Sequence, residues 1–336
     1  MVFMCIKDKC YIMKENNKLH ERLVEAIKKS MSNGDTLVNE LTDVLYIGKE
    51  AVYRRLRGEV AFTFDEIATL SRKYGFSLDS IVGVNSYSQA VFDLRMFDPE
   101  FQVDDYCSKT TSYIENLKRI NQSSNSMARF ALNALPLPLL LTYNKLTKLR
   151  LYRWMYQSKK SLLYYPFSEF QIPDKILDLH KVYIKEMNLI QKTLMVLDHN
   201  VFTSFIKEIA YFFKLNYLSK DDLEEIKAEL LLFIDDLEEA SISGKYNGFK
   251  DVNIYVSEID LDSTYIHYEC NEFEMALFRL YSMNTIESCN EEVCRIHKEW
   301  IESFKRYSTL ITQSGERQRH MYISSQKEAV RNLFVN

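Results

Sequence analysis

Residues 36–82 run TLVNELTDVLYIGKEAVYRRLRGEVAFTFDEIATLSRKYGFSLDSIV. Leu37, Val38, Leu41, Val44 and Leu45 recur at helical spacing there, and Asp35 or Thr36 can cap that helix. Tyr46-Ile47-Gly48 is a three-residue turn. Beyond it a cationic segment, 49–57, holds Lys49, Arg54, Arg55 and Arg57 against Glu50, and Gly58 supplies a left-handed C-terminal cap. Thr63 caps a fourth helix bearing Phe64, Ile67, Ala68, Leu70 and Tyr74, with Asp65 and Glu66 in its first turn. Gly75 ends that helix, and Ser77 opens a fifth, 78–82. Upstream, Leu19, Leu23, Ala26 and Ile27 predict a first helix over 19–30 that stops near Asn33-Gly34.

Five short helices with a three-residue turn between the second and third form a helix-turn-helix arrangement, and the third helix is the one placed to enter a major groove. Ala51, Val52 and Leu56 are its expected inward residues. Lys49, Glu50, Tyr53, Arg54 and Arg57 are expected outward, and with Arg55 they make the candidate DNA-binding set. Arg54 suits bidentate contact with guanine, and Tyr53 suits a thymine methyl or a phosphate.

The run GKEAVYRRLRGEVAFTFDEIATLSRKYGFSLDSIVG resembles the lambda-repressor/Cro-like helix-turn-helix family, also called the xenobiotic-response-element family. It is similar in particular to a bacterial version of the Bacteroidetes type, with AVYRRLRGE, then T-x-x-E, then YG-x-SLD. The resemblance covers about residues 19–84. It implies a five-helix domain, binding to double-stranded DNA in a sequence-specific way, and action as a homodimer. Two positions depart from the pattern: Tyr46 stands where the turn usually has Gly, and Gly48 where the recognition helix usually has a Ser or Thr cap.

Apolar residues make up 46% of the 336 and charged residues 27%, which supports a sizeable core and argues against global disorder. Five of the eight glycines fall at or before Gly83, so the remainder is expected to consist of long elements, chiefly helices. The net charge is −4, yet residues 1–85 hold 13 Lys/Arg against 12 Asp/Glu, so the acid excess belongs to the rest. That balance disfavours nonspecific wrapping of nucleic acid but allows a compact site. Six cysteines lie scattered without a CxxC pair, as expected of reduced thiols in the cytoplasm. No stretch reads as a signal peptide or a membrane span, so no membrane partner is expected. Met13 is a second candidate start, and residues 1–12 are expected to be unstructured or untranslated.

The domain reading is an extension over 1–18, a DNA-binding domain over 19–84 and a dimerisation or sensing region over 86–336 after an Asn85-Ser86 hinge. The polar stretch at 121–126 is a sub-boundary candidate. In that region 88–97, 99–120, 139–156, 220–240, 291–311 and 318–333 predict helices, and the unbroken apolar pattern over 174–213 predicts buried antiparallel helices. Residues 253–256, 264–268 and 274–281 alternate enough to predict a small antiparallel sheet near 252–281, with hairpin turns at 260–263 and 271–272. The expected fold class is therefore mainly α.

No phosphate-binding glycine loop, nucleophile elbow or standard metal motif occurs, so no catalytic residues, cofactor or enzyme activity are expected. One constellation with zinc-type ligands, His267, Cys270, Cys289, Cys294 and His297, matches no standard spacing, and no metal site is expected from it. The acidic pairs Asp235-Asp236 and Glu238-Glu239 read as a solvated helix face. Tyr143, Tyr152, Trp154 and Tyr156 read as core before they read as pocket. The expected function is a transcriptional regulator answering to a small-molecule or protein effector. The alternative is a helical protein–protein interaction protein, scaffold or antitoxin-like, without operator binding.

Overall fold

Leu41 and Val44 of α2 (Leu37–Leu45), Val52 of α3 (Lys49–Leu56) and Leu70 of α4 (Phe64–Tyr74) meet in one apolar cluster with Leu23 and Ile27 of α1 (residues 19–28), Phe62, and Ile81 of α5 (Leu78–Val82). The computed structural model describes residues 19–28, 37–74, 76, 78–82, 92–95, 103–158, 165–246, 249–271, 273–280 and 283–333. The 1–18 extension, the Asn33-Gly34 stop, the Asp35 or Thr36 cap, Gly75, Ser77 and the Asn85-Ser86 hinge lie outside these residues. So does most of the helix expected over 88–97, and within its described part residues 93–95 are a strand and not a helix. By internal packing the chain divides into two units, Met1–Val91 and Phe92–Asn336.

In the first unit the local signals act as their chemistry requires. Thr63 Oγ1 accepts from the Glu66 amide at 3.2 Å while Glu66 Oε2 accepts from the Thr63 amide at 2.8 Å, a reciprocal capping box that opens α4. Phe64, the first residue of α4, stays 75% exposed.

The second unit corrects the expected fold class. It is built on an eight-stranded mixed sheet in the order β1-β7-β6-β5-β2-β3-β4-β8, not on helices with a small antiparallel sheet. Its strands are β1 (Asp93–Arg95), β2 (Met127–Leu132), β3 (Lys192–Asp198), β4 (Val252–Ser257), β5 (Tyr265–Cys270), β6 (Phe273–Leu280), β7 (Asn284–Ser288) and β8 (Ser308–Leu310). β2, β3 and β4 run parallel to one another, whereas every other neighbouring pair is antiparallel. The physical reason for the misreading is burial on both faces. Apart from their first residues β2 (MARFAL) and β3 (KTLMVLD) are wholly buried, and a strand covered on both sides shows no alternation to separate it from a buried helix. Residues 260–263 form no hairpin turn, because β4 and β5, which they join, are separated by β3 and β2.

Long helical crossovers make the parallel pairing possible. α7 (Leu137–Leu140), α8 (Asn144–Ser158) and α9 (Asp174–Met187) lead from β2 to β3, and α10 (Val201–Lys214) and α11 (Lys220–Ser243) lead from β3 to β4. α6 (Val103–Asn121) packs on α9, and α13 (Glu316–Arg331) packs on α11 and α10. α12 (Glu291–Ser303) covers β5, β6 and β2. The helix expected over 291–311 thus ends at Ser303, continues as a short 3₁₀ segment and becomes the edge strand β8. α11 starts on the capping box of Ser219 and Asp222 and stops at Gly244, whose φ of 70° is left-handed. Among the described residues no helix is long and apolar enough to cross a membrane.

Candidate functional site

α3 is held at both ends by backbone geometry. Gly48 takes the N-cap position in extended conformation (φ −67°, ψ 154°) with no side-chain cap, and its carbonyl accepts the first helical bond from the Val52 amide at 3.1 Å. At the other end the amide of Glu59 reaches the Arg54 carbonyl (2.9 Å) and that of Gly58 reaches the Arg55 carbonyl (3.0 Å). This is a Schellman closure, and Gly58 sits in it at φ +76°. Tyr46, in the turn before α3, is also left-handed at φ +54°, which for a residue with a Cβ costs about 1–2 kcal/mol.

This frame fixes the direction of each side chain on α3. Val52 is fully buried, and Ala51 and Leu56 are half-buried behind it. Lys49, Glu50, Tyr53, Arg54 and Arg57 are exposed. Arg55 is turned away from them: its Nε donates to Glu66 Oε2 at 3.0 Å and its Nη2 lies 2.9 Å from Glu66 Oε1, with 15% of each side chain exposed. The exposed arginines meet acids as well. Arg57 pairs with Glu59 at 2.7 Å and with Glu50 at 3.5 Å, and Arg54 lies 3.6 Å from Glu59. Glu59 raises the Arg57 pKa, and Arg57 in turn lowers that of Glu59. These solvent-facing pairs are weak and exchange readily for another anion. Tyr46, Tyr53 and Phe64 add exposed aromatic surface to this unit.

Sequence reasoning thus put five of the six named side chains on one face and missed the two acids that organise them. Glu66 was legible as the last residue of the capping box, but its second role as the partner of Arg55 depends on how α4 packs on α3. Glu59 follows the helix and returns to it only through the Schellman turn.

The zinc-type constellation comes together in part. His267 Nε2, the Glu274 carboxylate and Cys294 Sγ lie within 4.8 Å of one another, while Cys270 packs against the core on the other face of β5 and His297 Nε2 bonds the Ile266 carbonyl at 3.0 Å. Arg129 argues against a metal here. Its Nη1 approaches His267 Nδ1 at 3.4 Å, and since arginine can only donate, Nδ1 accepts and the ring proton sits on Nε2, where a metal would bind. Burial, aided by Arg129, pushes His267 down to about 3, and burial pushes the Cys294 thiol up to about 12. Asp198, His199 and Asp260 form a second cluster at the carboxyl end of β3. Asp198 already accepts the amides of Asn200 and Leu261, each at 2.7 Å.

The remaining residues singled out above have structural partners. Asp236 accepts from the hydroxyls of Tyr143 and Tyr246, and Lys327 bridges Asp235 and Glu238, so this face of α11 is tied down. Tyr152 is buried against Phe167, Phe170 and Phe212, and Trp154 is buried too. No family model, curated protein or solved structure matches this chain.

Proposed function

We propose that the chain is a sequence-specific DNA-binding transcriptional regulator of the cytoplasm, in which α3 lies in the major groove and the second unit serves dimerisation or effector sensing. The observation that carries this reading is the exposed face of α3. A three-residue turn after α2 leads into a helix that presents Lys49, Tyr53, Arg54 and Arg57 to solvent while Arg55 anchors it to α4. Residues in the first turns of such a helix reach base edges, which places Tyr53 and Arg54 over bases and leaves Lys49 and Arg57 for phosphates. Phosphate would take over Arg57 and Arg54 from Glu59 and Glu50, because the exposed pairs are weak. Two copies would read half-sites about 34 Å apart.

Selection of bound duplexes from a random pool by the full-length protein tests this. An enriched palindrome, with an affinity that falls as salt rises, is the expected result. Arg54→Ala is expected to cost about 1–3 kcal/mol of binding and to relax the preference at one base pair. Absence of any enriched motif overturns the reading. It would favour the alternative of a protein-binding module, which the aromatic exposure of Tyr46, Tyr53 and Phe64 and the acids beside the arginines would also suit.

A further inference from the structure

The second unit holds an interior cavity of about 110 Å³ between one face of the sheet and the helices that cover it. Pairing register lines up that face: Phe130 of β2 stands opposite Ile266 of β5, Ile266 opposite Leu277 of β6, and Leu277 opposite Glu287 of β7. One turn of the pleat further, Arg279 stands opposite Thr285. α6, α7, α8 and α9 contribute the other wall. A water needs about 10–15 Å³ on this measure, so the space accepts a molecule of roughly eight to ten heavy atoms.

The wall is apolar for most of its extent, through Phe130, Leu132, Leu137 and Leu277, and two guanidiniums enter it, Arg150 from α8 and Arg279 from β6. Among the described residues neither forms an ion pair with an acid, and Arg150 is held instead by the Tyr106 hydroxyl. His180, 3% exposed, meets the same hydroxyl through Nε2 at 2.7 Å, and among the described residues its Nδ1 has no hydrogen-bond partner. Burial, aided by Arg150, pushes His180 down to about 3, so the ring is neutral. Burial and then Arg150 push Arg279 down to about 10, which records two cations crowded together in a poor solvent. Two other charges line the space. Lys109 is bound to Asp105 at 2.6 Å, and Glu287 is a buried acid on the strand beside Arg279. Counting Lys109 with Asp105, the cavity keeps one net positive charge from Arg150, Arg279 and Glu287.

Desolvated positive charge in excess of its counter-ions opposes folding, and fork-shaped guanidiniums pair bidentately with a planar carboxylate. We infer that this cavity is a binding site for a small organic monocarboxylate, its charged end between Arg150 and Arg279 and its apolar body against Phe130, Leu132, Leu137 and Leu277. The single net charge selects against a phosphate dianion, and Glu287 selects against a second acid group. Binding here is independent of whether α3 contacts DNA.

Titration calorimetry on the full-length protein tests it, with benzoate and hexanoate as probes, benzamide and hexanol as neutral counterparts, and inorganic phosphate as the competing anion. At least one carboxylate is expected to bind saturably and at least about tenfold more tightly than its neutral counterpart and than phosphate. Arg279→Met is expected to fold, to melt no lower than the parent because it relieves the crowding with Arg150, and to lose at least about tenfold in carboxylate affinity. If it fails to fold, Arg279→Lys keeps the charge, removes the fork, and is expected to lose affinity by a similar factor. No saturable binding below about 10 mM, equal binding of the neutral counterparts, preference for phosphate, or undiminished affinity in the folded variant would each overturn the assignment.

Discussion

Replacing Arg55 by Met separates the two roles that its sequence position allows. Met keeps most of the apolar stem and removes two hydrogen bonds, one to Glu66 and one from Nη1 to the Ala51 carbonyl at 3.3 Å, together with the Nη2–Glu66 ion-pair contact at 2.9 Å. A charged hydrogen-bonded pair is worth about 1.5–3 kcal/mol when shielded and about 0–1 kcal/mol when exposed. With 15% of each side chain exposed the pair lies between these limits, and Glu66 keeps the Thr63 amide after the change. The expected loss is about 1–2 kcal/mol. Hydrogen exchange of peptides spanning 49–74 in the full-length chain should therefore speed up by roughly 5- to 30-fold. Arg54→Ala, which loses only one exposed pair, should leave exchange unchanged and weaken DNA binding instead.

The pH dependence has a definite sign. Burial opposes the Glu66 charge, but the Arg55 guanidinium and the Thr63 amide outweigh it and hold the carboxyl below its ordinary value. A depressed acid contributes stability that is present above its unfolded pKa, about 4.3, and is lost as pH falls through the folded value. The parent should show that loss in α3 and α4, and Arg55→Met should show less of it. Less than a twofold change in exchange, together with lost DNA affinity, would refute the anchoring role and return Arg55 to the DNA-contacting set.

Three further perturbations follow from local geometry. Tyr46→Gly removes the Cβ that strains a left-handed φ at a residue 93% exposed, so it should slow exchange in α2 and α3 by an amount worth about 0.5–1 kcal/mol, and faster exchange would show that the ring makes a contact that matters. Arg129→Met takes the buried guanidinium from Glu269 (2.9 Å) and Glu302 (2.7 Å), which retain Lys298 and Lys305. It should cost about 2–4 kcal/mol in urea unfolding followed by tryptophan emission, since Trp154 and Trp300 both lie in the second unit; a change below about 0.5 kcal/mol would refute it. Ser219→Ala removes the acceptor for the Asp222 amide at 3.0 Å and should cost about 1 kcal/mol in the same assay, and no change would mean that Asp222 caps α11 alone.

What was legible in the sequence was whatever is decided locally. Thr63 with Glu66, Ser219 with Asp222, and Gly58 after Arg57 are chemical signals confined to a few residues, and each marks an element end in the structure. β4, β5 and β6 were visible because each keeps some partly exposed or exposed positions that interrupt its apolar ones. β2 and β3, at the centre of the sheet, carry their signal in burial on two faces, and burial is a property of the assembled layers. Missing them also inverted the topology, since without a centre β4 and β5 look like neighbours.

The same division governs the candidate sites. Arg54 and Arg55 are adjacent and chemically identical, and only the packing of α4 decides that one is bound to Glu66 while the other faces solvent. Arg150 and Arg279 are 129 positions apart, on a helix and a strand, and nothing in the sequence announces that they share a cavity. Three shielded cations elsewhere are matched closely to acids: Arg55 to Glu66, Arg129 to Glu269 and Glu302, and Lys327 to Asp235 and Glu238. Folding alone rewards that matching, because a shielded charge without a partner opposes the folded state. Arg150 and Arg279 together exceed the one acid, Glu287, that lines their cavity, and that excess is the ground on which the carboxylate site was proposed.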